Sequence, residues 1–368
     1  MVDHPGVAGK FFSALGKARV NIRAIAQGSS ERNISAVIDG ADSQRALRAV
    51  HAAFYLSNQT ISIGVIGSGL IGGTFLDQLM TQMEILKKDF KIDLRIRGIL
   101  NSKAMILSDH GRTLLDGRDH VRERALPADL EKFVAHVQAD HFPHAVILDC
   151  TSSAELTAQY PAWLERGIHI ITPNKKANTG TMEFYRSLRS ISRATGRHYL
   201  YETTVGAGLP IINTEPDPRD DLSGMDVGRK LVILAREMGL DLELDDVRIE
   251  SLVPESLRES SLEEFLERLP EHDEAMVDLL SRARDRGEVL RYVGMINPGQ
   301  QCSVELKSYS QAHAFAGTSG SDNIVAFTTQ RYHTQSLIVQ GPGAGPEVTA
   351  GGVFADLLRL ASYLGGSA

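Results

Sequence analysis

The stretch Ile61-Ser-Ile-Gly-Val-Ile-Gly-Ser-Gly-Leu-Ile-Gly-Gly73 decides the fold that this sequence predicts. Its first six residues are mostly apolar, as in a strand buried on both faces. An amphipathic helix is predicted behind it from Phe75, Leu79, Met83 and Leu86. Gly67, Gly69 and Gly72 have the G-x-G-x-x-G spacing that permits a tight turn, close approach of a pyrophosphate and helix–strand packing. Leu70 and Ile71 begin the helix, whose N-terminus attracts an anion.

The next strand carries the residues that choose between dinucleotides. It is predicted over Asp93–Leu100 and ends in Asn101-Ser102-Lys103. Enzymes that require NAD usually place an acid here, where it binds the ribose 2′-hydroxyl. Asn101 removes the repulsion that would exclude a 2′-phosphate, and Lys103 can attract one. The sequence therefore predicts that NADP(H) is accepted, with NAD(H) as an alternative cofactor.

Later strand ends are predicted to line the same crevice, because ligands bind at the carboxyl ends of parallel strands. Ala145–Cys150 precedes Thr151 and Ser152, and Gly167–Thr172 precedes Lys175 and Lys176. Two lysines in an ordinary loop would instead face water. Residues 104–144 are predicted as a helical connection, and 198–203 as another strand. Near the end, Gly345 precedes a helix predicted over 348–364, at an edge suited to a cofactor.

Composition excludes several classes of protein. The 368 residues suffice for two or three domains, and a net charge of −7 argues against nucleic-acid binding. We find no apolar run of about 18 residues, and therefore expect no membrane span. Cys150 and Cys302 have no metal-ligand or disulfide spacing. With Asp3, His4 and Pro5 at the N-terminus we expect no signal peptide, and hence a cytoplasmic protein.

An acidic stretch, Glu215–Lys230, runs from a proline-rich loop into a helix start. Asp226 and Lys230 stand four residues apart and therefore share one helix face. They form either a surface ion pair or a polar substrate site with a lysine placed for proton transfer. A divalent-metal site is a further alternative, but helix caps and contacts to an ammonium group explain its acids more simply; these acids are Asp217, Asp220 and Asp221.

Residues 1–58 read as helix, strand, strand and helix, which looks like most of an ACT domain, a βαββαβ module. The segment Gly6-Val-Ala-Gly-Lys-Phe-Phe-Ser-Ala-Leu15 resembles the last ACT module of bifunctional aspartokinase–homoserine dehydrogenases, as do Val20-Asn-Ile22 and Ala26–Glu31. The family's first strand is barely present. The resemblance implies a partial ACT-like regulatory domain that is normally fused to an N-terminal aspartokinase.

From residue 61 to the end the chain closely resembles homoserine dehydrogenase. The glycine fingerprint carries the resemblance together with Cys150-Thr-Ser-Ser153, Thr172-Pro-Asn-Lys-Lys-Ala177, Val205-Gly-Ala-Gly-Leu-Pro210, Gly343-Ala-Gly345 and the 215–230 stretch, which follows D-P-x-x-D-x-x-G-x-D-x-x-x-K. The resemblance implies an α/β protein with a Rossmann-like, doubly wound nucleotide-binding lobe. That lobe would span 59–175 and be completed by the C-terminal helix at 346–368. An α+β substrate and dimerisation lobe would span 176–345.

The resemblance also implies the reaction, a reversible reduction of L-aspartate 4-semialdehyde to L-homoserine with NADPH or NADH. This step belongs to threonine and methionine biosynthesis. The resemblance further implies that the protein is a homodimer or homotetramer. Lys230 would donate the proton, with Asp226 positioning it or the substrate and Lys175 as a second candidate. Glu215 and Asp221 would hold the substrate. Na⁺ or K⁺ would bind, mostly through backbone carbonyls, at Glu202, Val205, Ala207 and Leu209.

One departure from the family lies at the junction of Thr214 and Glu215. Relatives have several dozen residues here, which supply a strand, a substrate loop and a helix. If this chain lacks them, we expect nucleotide binding to survive and turnover to be crippled. Two alternatives therefore stay open: a catalytically impaired nucleotide- and effector-binding fragment, and a reductase for another amino acid semialdehyde.

Overall fold

The N-terminal part of the chain is a small two-layer unit. Helix α1 (Val7–Lys17), strands β1 (Ile22–Gln27) and β2 (Ile34–Ile38), and helix α2 (Ser43–Tyr55) follow one another. The strands pair antiparallel, and both helices cover one face of them. The computed structural model describes residues 6–27, 33–55, 60–108, 125–139, 142–205, 219, 222–320, 322–343 and 345–364. Within these residues the unit has the predicted helix–strand–strand–helix order.

A seven-stranded sheet forms the centre of the next lobe. Its strands are β3 (Thr60–Ile66), β4 (Asp93–Leu100), β5 (Ala104–Leu107), β6 (Leu126–Pro127), β7 (His144–Asp149), β8 (His169–Ile171) and β9 (Tyr199–Leu200). Their spatial order is β6-β5-β4-β3-β7-β8-β9. Strand β3 pairs in parallel with both β4 and β7, so the order of connections reverses at β3. Ligands bind doubly wound sheets beside this reversal, at the carboxyl ends of the strands.

Helices cover both faces of the sheet, which explains why every residue of β3 is buried. They are α3 (Leu70–Asp89), α4 (Leu130–Val137), the short α5 (Ala154–Thr157), α6 (Tyr160–Glu165) and α7 (Met182–Thr195). Helix α3 packs on one face, while α4, α6 and α7 supply the core of the other. The predicted Rossmann-like class is therefore confirmed. Helix α7 and β9 lie beyond the predicted lobe boundary at 175 and belong to the same sheet and helical layer.

The second lobe mixes helices with two small sheets. In chain order it contains α8 (Met225–Glu237), β10 (Arg248–Ile249), α9 (Leu262–Arg268), α10 (Asp273–Asp285), β11 (Glu288–Met295), β12 (Ser303–Ser310), β13 (Asp322–Phe327) and β14 (Leu337–Pro342). One sheet has the order β10-β12-β11, and β13 pairs with β14. Helix α8 packs on the first of these sheets through Leu231 and Val232. The chain then returns to the first lobe as α11 (Pro346–Tyr363), which packs on α3.

Two local predictions were wrong. Residues 104–144 are not one helical connection: β5 and β6 add antiparallel strands to the sheet edge, and α4 is the helix among the described residues. The chain reverses because the Asn101 side-chain oxygen accepts hydrogen bonds from the backbone N–H groups of Lys103 and Ala104, both at 2.9 Å. The strand predicted over 198–203 is limited to β9, and a 3-10 turn follows at Glu202–Thr204. No helix in the described ranges is long and apolar enough to cross a membrane.

The turn between β3 and α3 depends on two glycines. Gly67 has a φ of +89°, a conformation that side chains with a Cβ rarely adopt. A Cβ on Gly72 would lie 2.0 Å from the Gly67 carbonyl oxygen, which no rotamer can relieve. The neighbouring Gly73 has its nearest neighbour, the Ser68 carbonyl oxygen, at 3.9 Å. Gly72 alone of this pair therefore has a steric requirement.

We expect Gly72→Ala to lower stability by about 2 kcal/mol or more, because backbone must move to admit the methyl group. Gly73→Ala is the matched control and should be neutral or stabilising by up to about 1 kcal/mol, since alanine favours helix. Urea unfolding of both variants measures the difference. Equal stabilities would show that the 67–72 contact does not constrain the turn.

A histidine at the amino end of β8 is buried and paired. The His169 Nδ1 atom accepts a hydrogen bond from the His198 backbone N–H at 2.9 Å, and the two rings stack. Burial, followed by the charges of Arg197 and His198, lowers the pKa of His169 to about 3. Its neutral form is therefore part of the native state.

This histidine should make the fold acid-labile. As pH falls below about 6.5 the unfolded chain takes up a proton that native His169 excludes, so stability drops by up to about 1.4 kcal/mol per pH unit until about pH 3. His169→Asn, which keeps an acceptor but does not titrate, should flatten this slope. His333→Asn, at an exposed site, is the control. Thermal unfolding between pH 7 and pH 4 provides the measurement, and parallel slopes for both variants would contradict the assignment.

Candidate active site

The glycine turn lies beside the loop that follows β7. A Cβ placed on Gly67 would lie 2.8 Å from the Cγ2 atom of Thr151, so the two segments are in direct contact. Gly69 is the N-cap of helix α3 and, lacking a side chain, makes no capping hydrogen bond. The first turn of the helix contains no acidic residue. A pyrophosphate fits this arrangement, because a helix start without an anionic cap offers backbone N–H groups to an anion. The predicted residues Leu70, Ile71 and Gly72 form the first turn of α3, and Ser152 lies next to Thr151.

Lys103 is exposed at the carboxyl end of β4, beside β3. The Asn101 side chain is occupied in forming the turn described above, and Ser102 is exposed within it. This strand end is the position from which doubly wound enzymes recognise the ribose. The Lys103 backbone therefore lies after the carboxyl end of β4, the strand end at which a contact to a 2′-phosphate is predicted.

The two lysines after β8 have different environments. Asn174 caps a 3-10 turn over Lys175–Ala177, its side-chain oxygen accepting a hydrogen bond from the Lys176 N–H at 3.0 Å. The turn buries Lys175, which is 7% exposed, whereas Lys176 is exposed to solvent. The strand-end pattern alone did not distinguish these lysines, since the direction of each side chain depends on the turn; the family resemblance singled out Lys175.

Helix α8 brings Asp226 and Lys230 onto Lys175. The Lys230 Nζ atom lies 2.8 Å from one Asp226 carboxylate oxygen, and the Lys175 Nζ atom lies 3.4 Å from the other. The side chains of Asp226 and Lys230 are 15% and 13% exposed. The alternative of a solvated surface ion pair is thereby excluded. We refer to Lys175, Asp226 and Lys230 as the lysine–aspartate cluster.

The start of α8 explains how this cluster is placed. Gly224 is the N-cap of the helix, with a φ of +78°, and the Ser223 hydroxyl oxygen accepts a hydrogen bond from the Met225 N–H at 3.3 Å. A Cβ on Gly224 would lie 2.1 Å from the Tyr292 hydroxyl oxygen, so the helix start packs directly on β11. Asp226 falls in the first helical turn, where a negative charge is favoured by the helix dipole.

Charge in the cluster is unequal. Burial would raise the pKa of Asp226, but Lys175 and Lys230 outweigh burial and hold that pKa below its usual value. The carboxylate therefore stays ionised between two lysines. A lysine placed beside an oxygen atom that becomes negative during a reaction can stabilise that charge.

A buried arginine fixes α8 against the Lys175 turn. Arg236 donates hydrogen bonds to the backbone carbonyl oxygens of Asn178 at 2.7 Å and Gly180 at 2.9 Å, and pairs with Glu243 at 2.8 Å. Residues 178–180 directly follow the turn that carries Lys175. Sequence reasoning missed Arg236; its one signal was a cation at the end of the apolar run Leu231–Ala235.

The residues predicted to bind a monovalent cation are partly described. The Glu202 carboxylate pairs with Arg359 at 3.1 Å, and its backbone N–H donates to the buried Asp356 carboxylate at 3.2 Å. Burial raises the pKa of Asp356 to about 6. Val205 follows the same 3-10 turn, and Gly345 precedes α11 with a φ of +121°. The other predicted ligands of the cation and the substrate lie outside the described residues; they are Ala207, Leu209, Glu215 and Asp221.

A transition-metal site finds no support in the described part of the chain. No group of three or more histidine, cysteine or acidic side chains there is arranged to hold a metal ion. Cys150 directly follows Asp149 at the end of β7, and burial raises the pKa of its thiol.

Family comparisons agree with this geometry. Residues 67–202 match the profile of the homoserine dehydrogenase NAD-binding domain, and residues 201–358 match the homoserine dehydrogenase profile. Residues 1–54 match an ACT domain profile. The chain belongs to the homoserine dehydrogenase family. The resemblance inferred from the sequence is confirmed, including the ACT-like N-terminal module.

Two relatives that match almost the whole chain are named as bifunctional proteins. A chloroplastic bifunctional aspartokinase/homoserine dehydrogenase of Daucus carota is 50% identical over 99% of this chain and 45% of its own length. A bifunctional aspartokinase/homoserine dehydrogenase of Haemophilus influenzae is 36% identical over 99% of this chain and half of its own length. This chain therefore spans about half the length of these relatives.

Solved structures share the fold. A Candida auris protein of unknown function superposes with a TM-score of 0.70 at 29% identity, covering 83% of this chain and 98% of its own. Homoserine dehydrogenase from Thermoplasma acidophilum superposes with a TM-score of 0.60 at 16% identity, covering 82% and 99%. The two-lobe architecture of this chain is thus that of homoserine dehydrogenase structures.

The alignment to one relative is longer than this chain. The alignment to the Daucus carota protein extends over 416 positions, whereas this chain has 368 residues. At least 48 positions of that relative therefore face a gap in this chain. A deficit of this size agrees with the several dozen residues expected between Thr214 and Glu215.

We expect Arg236→Met to destabilise the chain by about 2–4 kcal/mol, because three backbone carbonyl oxygens and Glu243 lose a charged donor. Arg248→Met is the control, because its ion pair with Glu305 is exposed on the arginine side and should contribute less than about 1 kcal/mol. Chemical denaturation measures both. A loss at Arg236 no larger than that at Arg248 would show that the buried arginine does not fix α8.

Proposed function

We propose that this chain catalyses the reversible reduction of L-aspartate 4-semialdehyde to L-homoserine with NADP(H) or NAD(H). The observation that carries this proposal is the lysine–aspartate cluster, held by β8 and α8 in a chain of the homoserine dehydrogenase family. An enzyme of this kind needs a nucleotide site and a nearby proton donor. The glycine turn is suited to the first requirement and the cluster to the second.

Nucleotide binding rests on the glycine turn and its surroundings. Gly67, Gly69 and the start of α3 would receive the pyrophosphate, and Thr151 and Ser152 would lie along the crevice. Lys103 supports acceptance of a 2′-phosphate, and hence of NADP(H). A bound reduced nicotinamide supplies the hydride.

Lys230 would handle the proton. Hydride addition to the aldehyde carbon breaks the carbonyl π bond and places its electron pair on oxygen, forming an alkoxide. The Lys230 ammonium group hydrogen-bonds to this oxygen and then transfers a proton to it, giving the alcohol. Asp226 holds Lys230 in place, and Lys175 is a second donor on the opposite carboxylate oxygen. In the reverse direction the neutral amine of Lys230 accepts the hydroxyl proton.

Further parts of the proposal concern the ligands and the assembly. Glu215 and Asp221 would hold the substrate's ammonium group. Glu202 and Val205, with Ala207 and Leu209, would bind Na⁺ or K⁺. We also propose a homodimer or homotetramer and natural fusion to an aspartokinase, which the bifunctional relatives support. The cytoplasmic location stays a prediction, since the plant relatives are named chloroplastic.

A second candidate function follows from the missing residues. The gap of at least 48 positions, if it lies at the Thr214–Glu215 junction, removes a substrate loop from the second lobe. The chain would then be a nucleotide- and effector-binding protein with impaired catalysis. Its glycine turn lies outside the proposed gap, so this candidate keeps nucleotide affinity.

We expect purified protein to oxidise NADPH when aspartate semialdehyde is added, and Lys230→Ala to lower kcat by about 10²–10⁴-fold through loss of the general acid. Absorbance of the reduced nicotinamide measures turnover, with NADH run in parallel. Lys176→Ala is the control for removal of a nearby lysine, because that side chain faces solvent. It should leave kcat within about threefold of the parent.

The outcomes of this experiment separate the candidates. Nucleotide binding without turnover in the parent protein would reject the dehydrogenase proposal and support the impaired candidate. Turnover with other amino acid semialdehydes, but not with aspartate semialdehyde, would indicate a different reductase. Near-normal turnover in Lys230→Ala would leave the reaction intact and reject Lys230 as its acid.

A further inference from the structure

A fully buried carboxylate lies at the end of β7 and joins two loops of the candidate site. One Asp149 carboxylate oxygen accepts hydrogen bonds from the Thr151 backbone N–H at 2.9 Å and hydroxyl at 2.7 Å. The other accepts from the Tyr160 hydroxyl at 2.6 Å and the Asn174 side-chain amide at 3.3 Å. Asp149 therefore contacts both the loop after β7 and the loop after β8.

Asn174 connects Asp149 to the turn that carries Lys175. Its amide nitrogen also donates to the Ser153 carbonyl oxygen at 2.9 Å, while its side-chain oxygen caps the turn by accepting from the Lys176 N–H. The orientation of the Asn174 amide is thus fixed at both ends. Because Lys175 is the first residue of the capped turn, its place depends on that orientation.

An ionised carboxylate has a directional effect that a neutral side chain lacks. It accepts at both oxygens, so every neighbour must present a donor to it. Burial raises the pKa of Asp149, and the hydrogen bonds from Tyr160, Thr151 and Asn174 act against that shift. An asparagine at this position would present its own N–H₂ group to one side. If that side faced Asn174, the N–H₂ groups of the two asparagines would repel each other. The Asn174 side-chain amide would then rotate by about 180° and exchange its oxygen and nitrogen.

We propose that Asp149 is a positioning residue that sets the place of Lys175 beside Asp226 by orienting the Asn174 side chain. The positional part of this inference is independent of activity, whereas its catalytic consequence rests on the proposed function. Asp149 itself touches neither Lys175 nor Asp226 in any described contact. Its effect passes through the Asn174 cap.

The direct test measures the exposure of Lys175 without substrate or cofactor. The full chain is treated briefly with acetic anhydride, and acetylation of Lys175 is compared with that of Lys176 by peptide mass spectrometry. We expect Asp149→Asn to raise the relative rate at Lys175 roughly tenfold, the effect of losing one buried hydrogen bond. Ser62→Ala is the matched control, since it removes a buried hydrogen bond to the Val137 carbonyl in the same sheet but far from both loops. Its rate should match the parent.

A double variant tests the orientation argument. In Asp149→Asn/Asn174→Asp the donor and acceptor exchange places, and the carboxylate introduced at position 174 keeps an oxygen for the Lys176 N–H. Because the introduced carboxylate cannot donate to the Ser153 carbonyl oxygen, we expect this pair to return Lys175 acetylation only part of the way towards the parent rate. A purely structural role would predict at least as much damage in the double variant as in Asp149→Asn. Emission of Trp163, the one tryptophan of the chain, verifies the local fold because its ring packs 5.7 Å from that of Tyr160.

Kinetics provides the catalytic readout. If the proposed function holds, Asp149→Asn should lower kcat by about 10–100-fold with KM for the nucleotide within about threefold, because a misplaced proton donor slows chemistry more than binding. Absence of activity in the parent would reject the proposed function and leave the acetylation result valid. Parent-like acetylation in folded Asp149→Asn would overturn the positioning role. Should that variant fail to fold, Asn174→Ala decides in its place, with faster acetylation supporting the role and an unchanged rate overturning it.

Discussion

Two lysines share one largely buried carboxylate, and this contact joins the second lobe to the first. Removing three charged groups from water costs several kcal/mol for each ion unless geometry and hydrogen bonding offset it. Asp226 can offset that cost only if α8 and the Lys175 turn keep a fixed separation. Arg236 fixes it by joining the helix to residues 178–180, which directly follow the turn.

The sheet topology places the glycine turn and the loops that lead to the lysine–aspartate cluster along the same edge of the sheet. Connections reverse at β3, so the glycine turn and the loop after β7 lie side by side at one edge of the sheet. Strand β8 is the next strand along that edge and ends in the turn that carries Lys175. Asp149 accepts hydrogen bonds from both the loop after β7 and the loop after β8, and so joins these two segments. The sheet therefore sets the order of the functional groups, and buried polar contacts set their distances.

The sequence predicted what depends on local pattern. The glycine spacing and the buried run at 61–66 gave the strand, turn and helix, and the four-residue spacing of Asp226 and Lys230 gave their shared face. It could not show that Lys175 points inward and Lys176 outward, because a turn capped by Asn174 decides this. Asp149 and Arg236 were missed for a related reason. The partners on which their roles depend are distant in sequence, Asn174 for Asp149 and Asn178 for Arg236, and each residue reads locally as one polar residue in an apolar run. The strand at 104–107 was missed because its pairing depends on the Asn101 turn.

The cluster separates proton handling from substrate capture. Its three residues come from the turn after β8 and from α8, and Arg236 joins α8 to the residues that follow this turn. The cluster and the glycine turn are assembled in a chain in which Glu215 directly follows Thr214. We therefore expect a loss of residues at this junction to spare them. The absent groups would be those that hold the semialdehyde, and a reactant that is not held in line with its donor loses the large rate advantage of proximity. That loss should therefore lower turnover and leave nucleotide affinity unchanged. Nucleotide affinity then measures whether the first lobe is intact, and turnover measures the effect of the junction.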